Sequence, residues 1–365
     1  MCDATGARAE KESANTMSGT ESVQALAYKV AVAPMMDWTD RHCRYFLRGF
    51  SPDVLLYTEM ITAAAIIHGK RDRLLQFDPE EQPVALQLGG SDPRELALAA
   101  RAGEERGYIE INLNCGCPSD RVHAGAFGAC LMLQPERVAD CVAAMRAAVR
   151  LPVTVKMRIG VVEGEGARQR SAGFDAADYE RLHQFTDRVR EAGSSRIIVH
   201  ARKAVLGGLS PRENREVPPL RYEVVQRLKG DFPEVEISVN GGLRTLAQCE
   251  QALTWADGVM LGREAYHRPF LLSELAHQLL PMQTPPSMRQ LIERMASYAE
   301  RQVAGGERLS QITRHMLGLC TGQAGARRYR QHLSEGARAV QTGPAGAAQA
   351  GQLLRAAADI CLPIQ

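Results

Sequence analysis

Between residues 30 and 270, short runs of β-branched and aliphatic residues alternate with longer stretches whose apolar positions recur at helical spacing. That alternation is the signature of repeated strand–helix units around a parallel sheet. Eight runs are candidate strands: 30–34, 54–58, 84–88, 109–113, 153–156, 197–200, 236–239 and 258–261. The stretches between them carry helix punctuation. Ser91-Asp92-Pro93 reads as a cap with proline in the first turn ahead of a helix over 94–106, and Gly107 closes it. Eight parallel strands, seven crossovers and a helix after Pro269 predict an α/β fold, a (β/α)8 TIM barrel, with its active site at the C-terminal ends of the strands. The alternative is an open doubly wound sheet, but no G-x-G-x-x-G follows the first run.

Beyond the barrel, 281–286 reads as a linker, and from Met288 only helical patterns appear. The expected organisation is a disordered tail over 1–24, a catalytic barrel over 25–280 and a small all-helical domain over 287–365. The segment 161–173, rich in Gly and Glu, is expected to be a surface loop or lid with no assigned chemistry.

Composition narrows the class. The chain has 365 residues, more than one ordinary domain, with 45% hydrophobic and 24% charged residues. No apolar run approaches the roughly 18 residues that span a bilayer, and the tail has no apolar stretch of signal-peptide type. A membrane protein is therefore excluded as a reading. Nine scattered cysteines without a C-x-x-C pair suit free thiols in a reducing compartment, so the cytoplasm is the expected location. The net charge of +2 does not itself suggest nucleic acid. Between Arg314 and His332, however, four arginines (Arg314, Arg327, Arg328, Arg330) and two histidines occur with no acidic residue, a local basic face.

Polar and small residues sit at nearly every expected strand end, the mouth of such a barrel. Pro34-Met35-Met36 ends the first run, where thioethers can pack on a flat ring and the backbone can bond its edge, or simply form a Met-lined rim. Gln87 ends the third, with an amide that both donates and accepts. The sharpest feature is Asn114-Cys115-Gly116-Cys117-Pro118-Ser119 after the fourth. A thiol there, with an unperturbed pKa of about 8.5, is a proton donor at neutral pH; an inert buried cysteine and a C-x-C zinc site are the competing readings. Lys156 and His200 end the fifth and sixth runs. An unpaired ammonium aimed into a barrel is unfavourable unless it meets an anion or polar ligand, while His200 alone is equally a hydrogen-bonded rim residue. Asn240-Gly241-Gly242 and Gly262-Arg263 end the last two, where these barrels bind phosphate through backbone N–H groups. The set implies a planar, phosphorylated cofactor facing a thiol, and flavin mononucleotide (FMN) fits.

At these residues the chain resembles the tRNA-dihydrouridine synthase family, over about 33–333. Ala33-Pro34-Met35-Met36-Asp37-Trp38-Thr39-Asp40, Gly116-Cys117-Pro118-Ser119-Asp120-Arg121-Val122, His200-Ala201-Arg202-Lys203-Ala204 and Leu209-Ser210-Pro211 with Asn214-Arg215-Glu216 resemble its bacterial A-type subfamily. The resemblance implies a TIM barrel holding FMN, a helical domain gripping tRNA, NADPH as reductant, and reduction of uridines 20 and 20a in the D-loop. It assigns Cys117 as proton donor to uracil C5 while flavin N5 delivers hydride to C6. FMN contacts are implied for Pro34, Met35, Met36, Gln87, Lys156, His200, Asn240, Gly241, Gly242, Gly262 and Arg263. For the tRNA, Asn114 would position the uracil, and Arg212, Arg215, Arg327 and Arg330 would form a cationic set; no membrane and no obligate protein partner are expected. Two departures stand out: Cys115, where a small apolar residue is expected and where a second thiol can confuse labelling, and the long 161–173 segment. Two competing functions remain at this stage, a flavin barrel acting on a small free pyrimidine and an RNA-binding protein on a vestigial barrel. The first does not account for a helical domain with Arg327 and Arg330; the second requires a colourless protein.

Overall fold

The structure is a computed structural model that describes residues 28–119, 125–279 and 284–361. The expected tail over 1–24, residues 120–122 of the motif after Cys117 and residues 281–283 of the expected linker lie outside the described residues.

The strands are β1 Val30–Val32, β2 Leu55–Tyr57, β3 Ile61–Thr62, β4 Val84–Gly89, β5 Glu110–Cys115, β6 Val153–Arg158, β7 Val161–Glu163, β8 Arg196–His200, β9 Ala204–Leu206, β10 Glu236–Asn240 and β11 Gly258–Leu261. Eight of them close a parallel ring in the order β1-β2-β4-β5-β6-β8-β10-β11, with β11 returning to β1. Each coincides with one of the eight runs read from the sequence. Helices fill the crossovers: α1 Arg41–Arg48, α2 Ala63–His68, α3 Arg71–Leu74, α4 Pro93–Arg106, α5 Pro135–Ala148, α6 Ala167–Arg170, α7 Ala176–Glu191, α8 Tyr222–Asp231 and α9 Leu246–Leu253. After β11 come α10 Arg263–His267 and α11 Phe270–Leu279, then α12 Met288–Ala304, α13 Leu309–Thr313, α14 Ala326–Ala339 and α15 Pro344–Cys361.

Local chemistry accounts for these boundaries. Asp92 caps α4 by accepting from the N–H groups of Arg94 and Glu95, Pro93 takes the first turn, and Gly107 ends it at φ +97°. In β5, Ile111, Leu113 and Cys115 face the helices and join the main core, while Glu110, Asn112 and Asn114 face the barrel axis. On the opposite wall, Ala31, Ala33, Leu55, Tyr57, Ala85, Ile198 and Met260 make a small apolar core inside the ring. The barrel interior is thus split into an oily half and a polar half.

Two expectations need correction. The segment 161–173 is not a plain surface loop: it holds β7, which pairs in parallel with β9, and α6. Val161 packs with Ala129, Cys130, Ala204 and Leu206, and Val162 with Ala167, Val205 and Leu209. A three-residue strand whose partner lies some forty residues downstream leaves no local period to read. Cys320 is not a free thiol but disulfide-bonded, a pairing that scattered spacing cannot reveal.

The C-terminal helices share a continuous hydrophobic core with the outer layer of the barrel. At their seam the Tyr45 and Tyr298 rings stack with centroids 3.8 Å apart. His42 Nδ1 lies 2.8 Å from the Tyr298 hydroxyl, and Asp40, the cap of α1, holds Arg314 and His315. No helix among the described residues is long and apolar enough to cross a membrane.

Candidate active site

A cleft of about 2040 Å³ opens over the C-terminal ends of the strands and reaches Glu307, Arg308 and Gln311 of the helical part. Pro34, Met35, Met36, Gln87, Asn114, Cys117, Lys156, His200, Arg215, Asn240, Gly241, Gly242, Gly262 and Arg263 all line it. Residues from seven strand ends, up to about 230 positions apart in sequence, are brought to one mouth because every barrel strand points the same way. Arg212, Arg327 and Arg330 do not line it. Arg212 has an 80% exposed side chain 3.8 Å from Glu216, and Arg327 and Arg330 are exposed on α14.

Cys117 sits just past β5 in a tightly held turn. Asn114 Oδ1 accepts from the backbone N–H groups of Gly116, at 3.2 Å, and Cys117, at 3.0 Å. The Cys117 carbonyl accepts from Ala129 N–H at 2.9 Å, and Arg158 Nε donates to the Gly116 carbonyl at 3.1 Å. The half-buried thiol is 3.6 Å from Ser119 Oγ and within electrostatic reach of Lys156, Arg158 and Arg215. Cys115 points the other way, into the apolar core, where burial pushes its thiol well above the ordinary range. The two sulfurs therefore do not share one face of the turn, as a C-x-C zinc site requires. The expected confusion in labelling is corrected as well, since Cys115 is fully buried.

On the strand next to the thiol's turn, Lys156 Nζ donates to Asn240 Oδ1 at 3.1 Å, and Asn240 Nδ2 donates to the Met260 carbonyl at 2.7 Å. Burial, and then Arg158, lower the lysine from 10.5 to about 7. A neutral amide is a poor partner for an ammonium, so this lysine is built to meet an anion. His200 is held well below its usual value by burial and by Arg158 and Lys156, which leaves a neutral imidazole. Beside it Gly241 has φ +116°, and a Cβ there would lie 2.6 Å from His200 Cδ2. The Gly241-Gly242 turn, at the cleft's edge, therefore has no room for side chains against His200 and Leu220 and needs glycine for its positive φ values. Arg263, the first residue of α10, pairs with Glu216 at 2.8 Å, and the buried Nε of Arg202 has no hydrogen-bond partner among the described residues. Guanidinium groups crowd this rim, and one carboxylate serves two of them.

The first-strand turn departs in part from expectation. Met35 N–H is already taken by Thr39 Oγ1 at 2.9 Å, so that backbone donor is not free for a ring edge. Met36 is 57% exposed at the rim. Arg158 is the residue that sequence reading missed. It is buried, and beyond Gly116 it donates to the carbonyls of Asn214, at 3.0 Å, and Lys203, at 3.4 Å, tying the thiol's turn to the loop that carries Arg215. The signal was the alternation Thr154, Lys156, Arg158, which continues the strand past the apparent end at 156.

The family described as dihydrouridine synthase matches residues 31–357. A tRNA-dihydrouridine(20/20a) synthase of Pseudomonas aeruginosa is 54% identical over 316 residues, covering 86% of this chain and 92% of that protein. One of Vibrio cholerae is 53% identical over 311 residues, with 85% and 91% covered. One of Synechocystis is 52% identical over 316 residues, with 86% and 91% covered. Among solved structures, a 2-naphthoyl-CoA reductase in complex with 2-naphthoyl-CoA shares the fold with a TM-score of 0.52 at 10% identity, over 68% of this chain and 50% of that one.

Proposed function

The chain belongs to the dihydrouridine synthase family, and from that premise we propose that it is an FMN-dependent, NADPH-driven reductase that converts uridines 20 and 20a of the tRNA D-loop to 5,6-dihydrouridine. One observation supports the chemistry above all: the Cys117 thiol is clasped at the barrel mouth in the same cleft as Lys156, His200 and the Gly241-Gly242 turn.

The residues fit the cofactor. Lys156 is buried with a neutral partner and suits the anionic ring of reduced flavin. Gly241, Gly242, Gly262 and Arg263 suit a phosphate, Gln87 and neutral His200 suit the ring edge, and Pro34, Met35 and Met36 give it an apolar neighbour. Bound there, FMN supplies the hydride for uracil C6, and NADPH restores it. Every other part of the task falls to the chain. The Cys117 S–H donates its proton to C5, and Lys156, Arg158 and Arg215 are the cations within electrostatic reach of that sulfur. Asn114, already oriented by the turn, positions the base. A uridine in folded tRNA must be extruded to enter such a cleft, and cationic contacts to phosphate hold the RNA while it does so. Arg212 and Arg215 on one side, and Arg327 and Arg330 of a tRNA-gripping helical unit over 287–361 on the other, are the cations for that role.

The test begins with the visible spectrum of the purified protein, which should be yellow. Anaerobic NADPH should bleach it, unmodified tRNA should restore the colour, and nucleoside mass spectrometry should then find dihydrouridine. A colourless preparation, or recolouring by free uridine as fast as by tRNA, sinks the reading.

A further inference from the structure

In the polar half of the barrel interior, five side chains of β4, β5 and β6 form one hydrogen-bonded column. Thr154 Oγ1 donates to Glu110 Oε1 at 2.6 Å, and Asn112 Nδ2 donates to Thr154 Oγ1 at 2.8 Å. Gln87 Nε2 donates to Asn112 Oδ1 at 2.8 Å, and Asn114 Nδ2 donates to Gln87 Oε1 at 2.8 Å. At the top, Asn114 Oδ1 accepts from the N–H groups of Gly116 and Cys117. All five side chains are buried.

Both ends of this column fix its direction. The upper end is a pair of backbone N–H groups, which only donate. The lower end is Glu110 Oε1, which also accepts from the Tyr57 hydroxyl. Arg196 lies 3.6 Å from the other oxygen, Oε2. Burial raises the Glu110 carboxyl's pKa, yet a proton on Oε2 would leave Oε1 an acceptor. Were Thr154 to turn its hydrogen upward, Asn112 and then Gln87 and Asn114 would each have to flip. The last flip would aim Nδ2 of Asn114 at two N–H groups, donor against donor. The amides are thus anchored at both ends, and a cut at Thr154 removes the lower anchor and leaves Asn112 Nδ2 buried without its acceptor, so the stack above it is held from the top alone.

We propose that Glu110 and Thr154 are positioning residues that act through this column to brace the Gln87 and Asn114 amides from below and so place the Cys117 thiol for proton transfer. The proposal rests on the function given above and extends it to the barrel floor, two side chains and more away from the reacting atoms.

Thr154→Val keeps the shape and removes the link, whereas Thr154→Ser keeps the hydroxyl. Thr154→Val should lower dihydrouridine formation at saturating tRNA, per flavin-loaded protein, about tenfold, the scale of one lost buried hydrogen bond. Its KM for tRNA should stay within about twofold, and Thr154→Ser should restore turnover. In flavin-free protein, amide hydrogen exchange across 114–119 should quicken in Thr154→Val and not in Thr154→Ser. Glu110→Met, which removes the acceptor at similar length, should also slow turnover, and combining it with Thr154→Val should add less than about twofold, because both cut one path. Wild-type turnover and exchange in Thr154→Val, failure of serine to rescue, or losses that multiply in the double variant would each overturn the proposal. If the wild-type protein makes no dihydrouridine, the function is wrong, and the exchange measurement still decides the column.

Discussion

At the scale of single residues, the site separates two jobs that sequence alone assigns to one short motif. Cys117 faces the cleft and Cys115 the core, so only one of two neighbouring thiols is chemically available. Cys117→Ala should leave the protein yellow and tRNA-binding while dihydrouridine formation falls at least about a hundredfold, the usual worth of a positioned general acid; unchanged product by nucleoside mass spectrometry removes the residue from the reaction. Lys156 yields a prediction whose sign follows from its burial. Its value in the folded chain is about 7 against an ordinary 10.5, so the folded state resists the charged form. The resulting destabilisation is absent above about pH 10.5, grows as pH falls, and is complete below about pH 7. Flavin-free Lys156→Met should therefore melt higher than flavin-free wild type near pH 6, with the gap closing toward pH 10, yet bind FMN at least about tenfold more weakly. A variant that melts lower near pH 6 would mean the ammonium already has a counter-charge in the empty cleft.

At the scale of elements, the barrel was legible because each strand is apolar on the face that meets the helices, and the sequence marks both ends of the crossover helices. The cap of α4 shows how local that information is: Asp92 and Gly107 bound the helix in the structure as they do in the sequence. Asp92→Ala should lower stability by about 1 kcal/mol, seen as a drop of a few degrees in Tm, with kcat and KM unchanged because α4 lies on the outer layer. What was not legible has equally physical reasons. Lys156 reads as the end of a strand because a charge breaks an apolar run, but in a closed barrel β6 continues to Arg158, whose guanidinium satisfies three loop carbonyls. Glu110, Asn112 and Thr154 lie inside two of the expected strands with no role assigned, whereas in space they satisfy one another. The β7–β9 pair was missed because it is formed only when two loops meet. Residues that contact a ligand alone can be inferred from their chemistry; residues that contact each other across the barrel need the fold.

At the scale of the molecule, the cleft is a joint product of barrel and helices. It is lined by strand ends at one end and by Glu307, Arg308 and Gln311 at the other, and the seam between them is closed by the Tyr45–Tyr298 stack and by Asp40 with Arg314 and His315. Arg327 and Arg330 stand outside the cleft, three apart on α14, exposed and without an ion-pair partner among the described residues. Spacing of three puts them on one helical face, and an unpaired cationic face of this kind gains affinity from phosphate by releasing counterions. Their job, on this argument, is to hold RNA at a distance from the chemistry. Arg327→Ala with Arg330→Ala should then raise the KM for tRNA several-fold and flatten the dependence of log affinity on log salt by about one to two units. It should leave NADPH oxidation by the flavin alone untouched, because neither residue lines the cleft. Kinetics over a range of salt concentrations separate this from a general loss of folding, which would lower both activities together. Normal tRNA affinity with an unchanged salt slope would move the RNA-holding face to the cations nearer the mouth, of which Arg215 already lines the cleft.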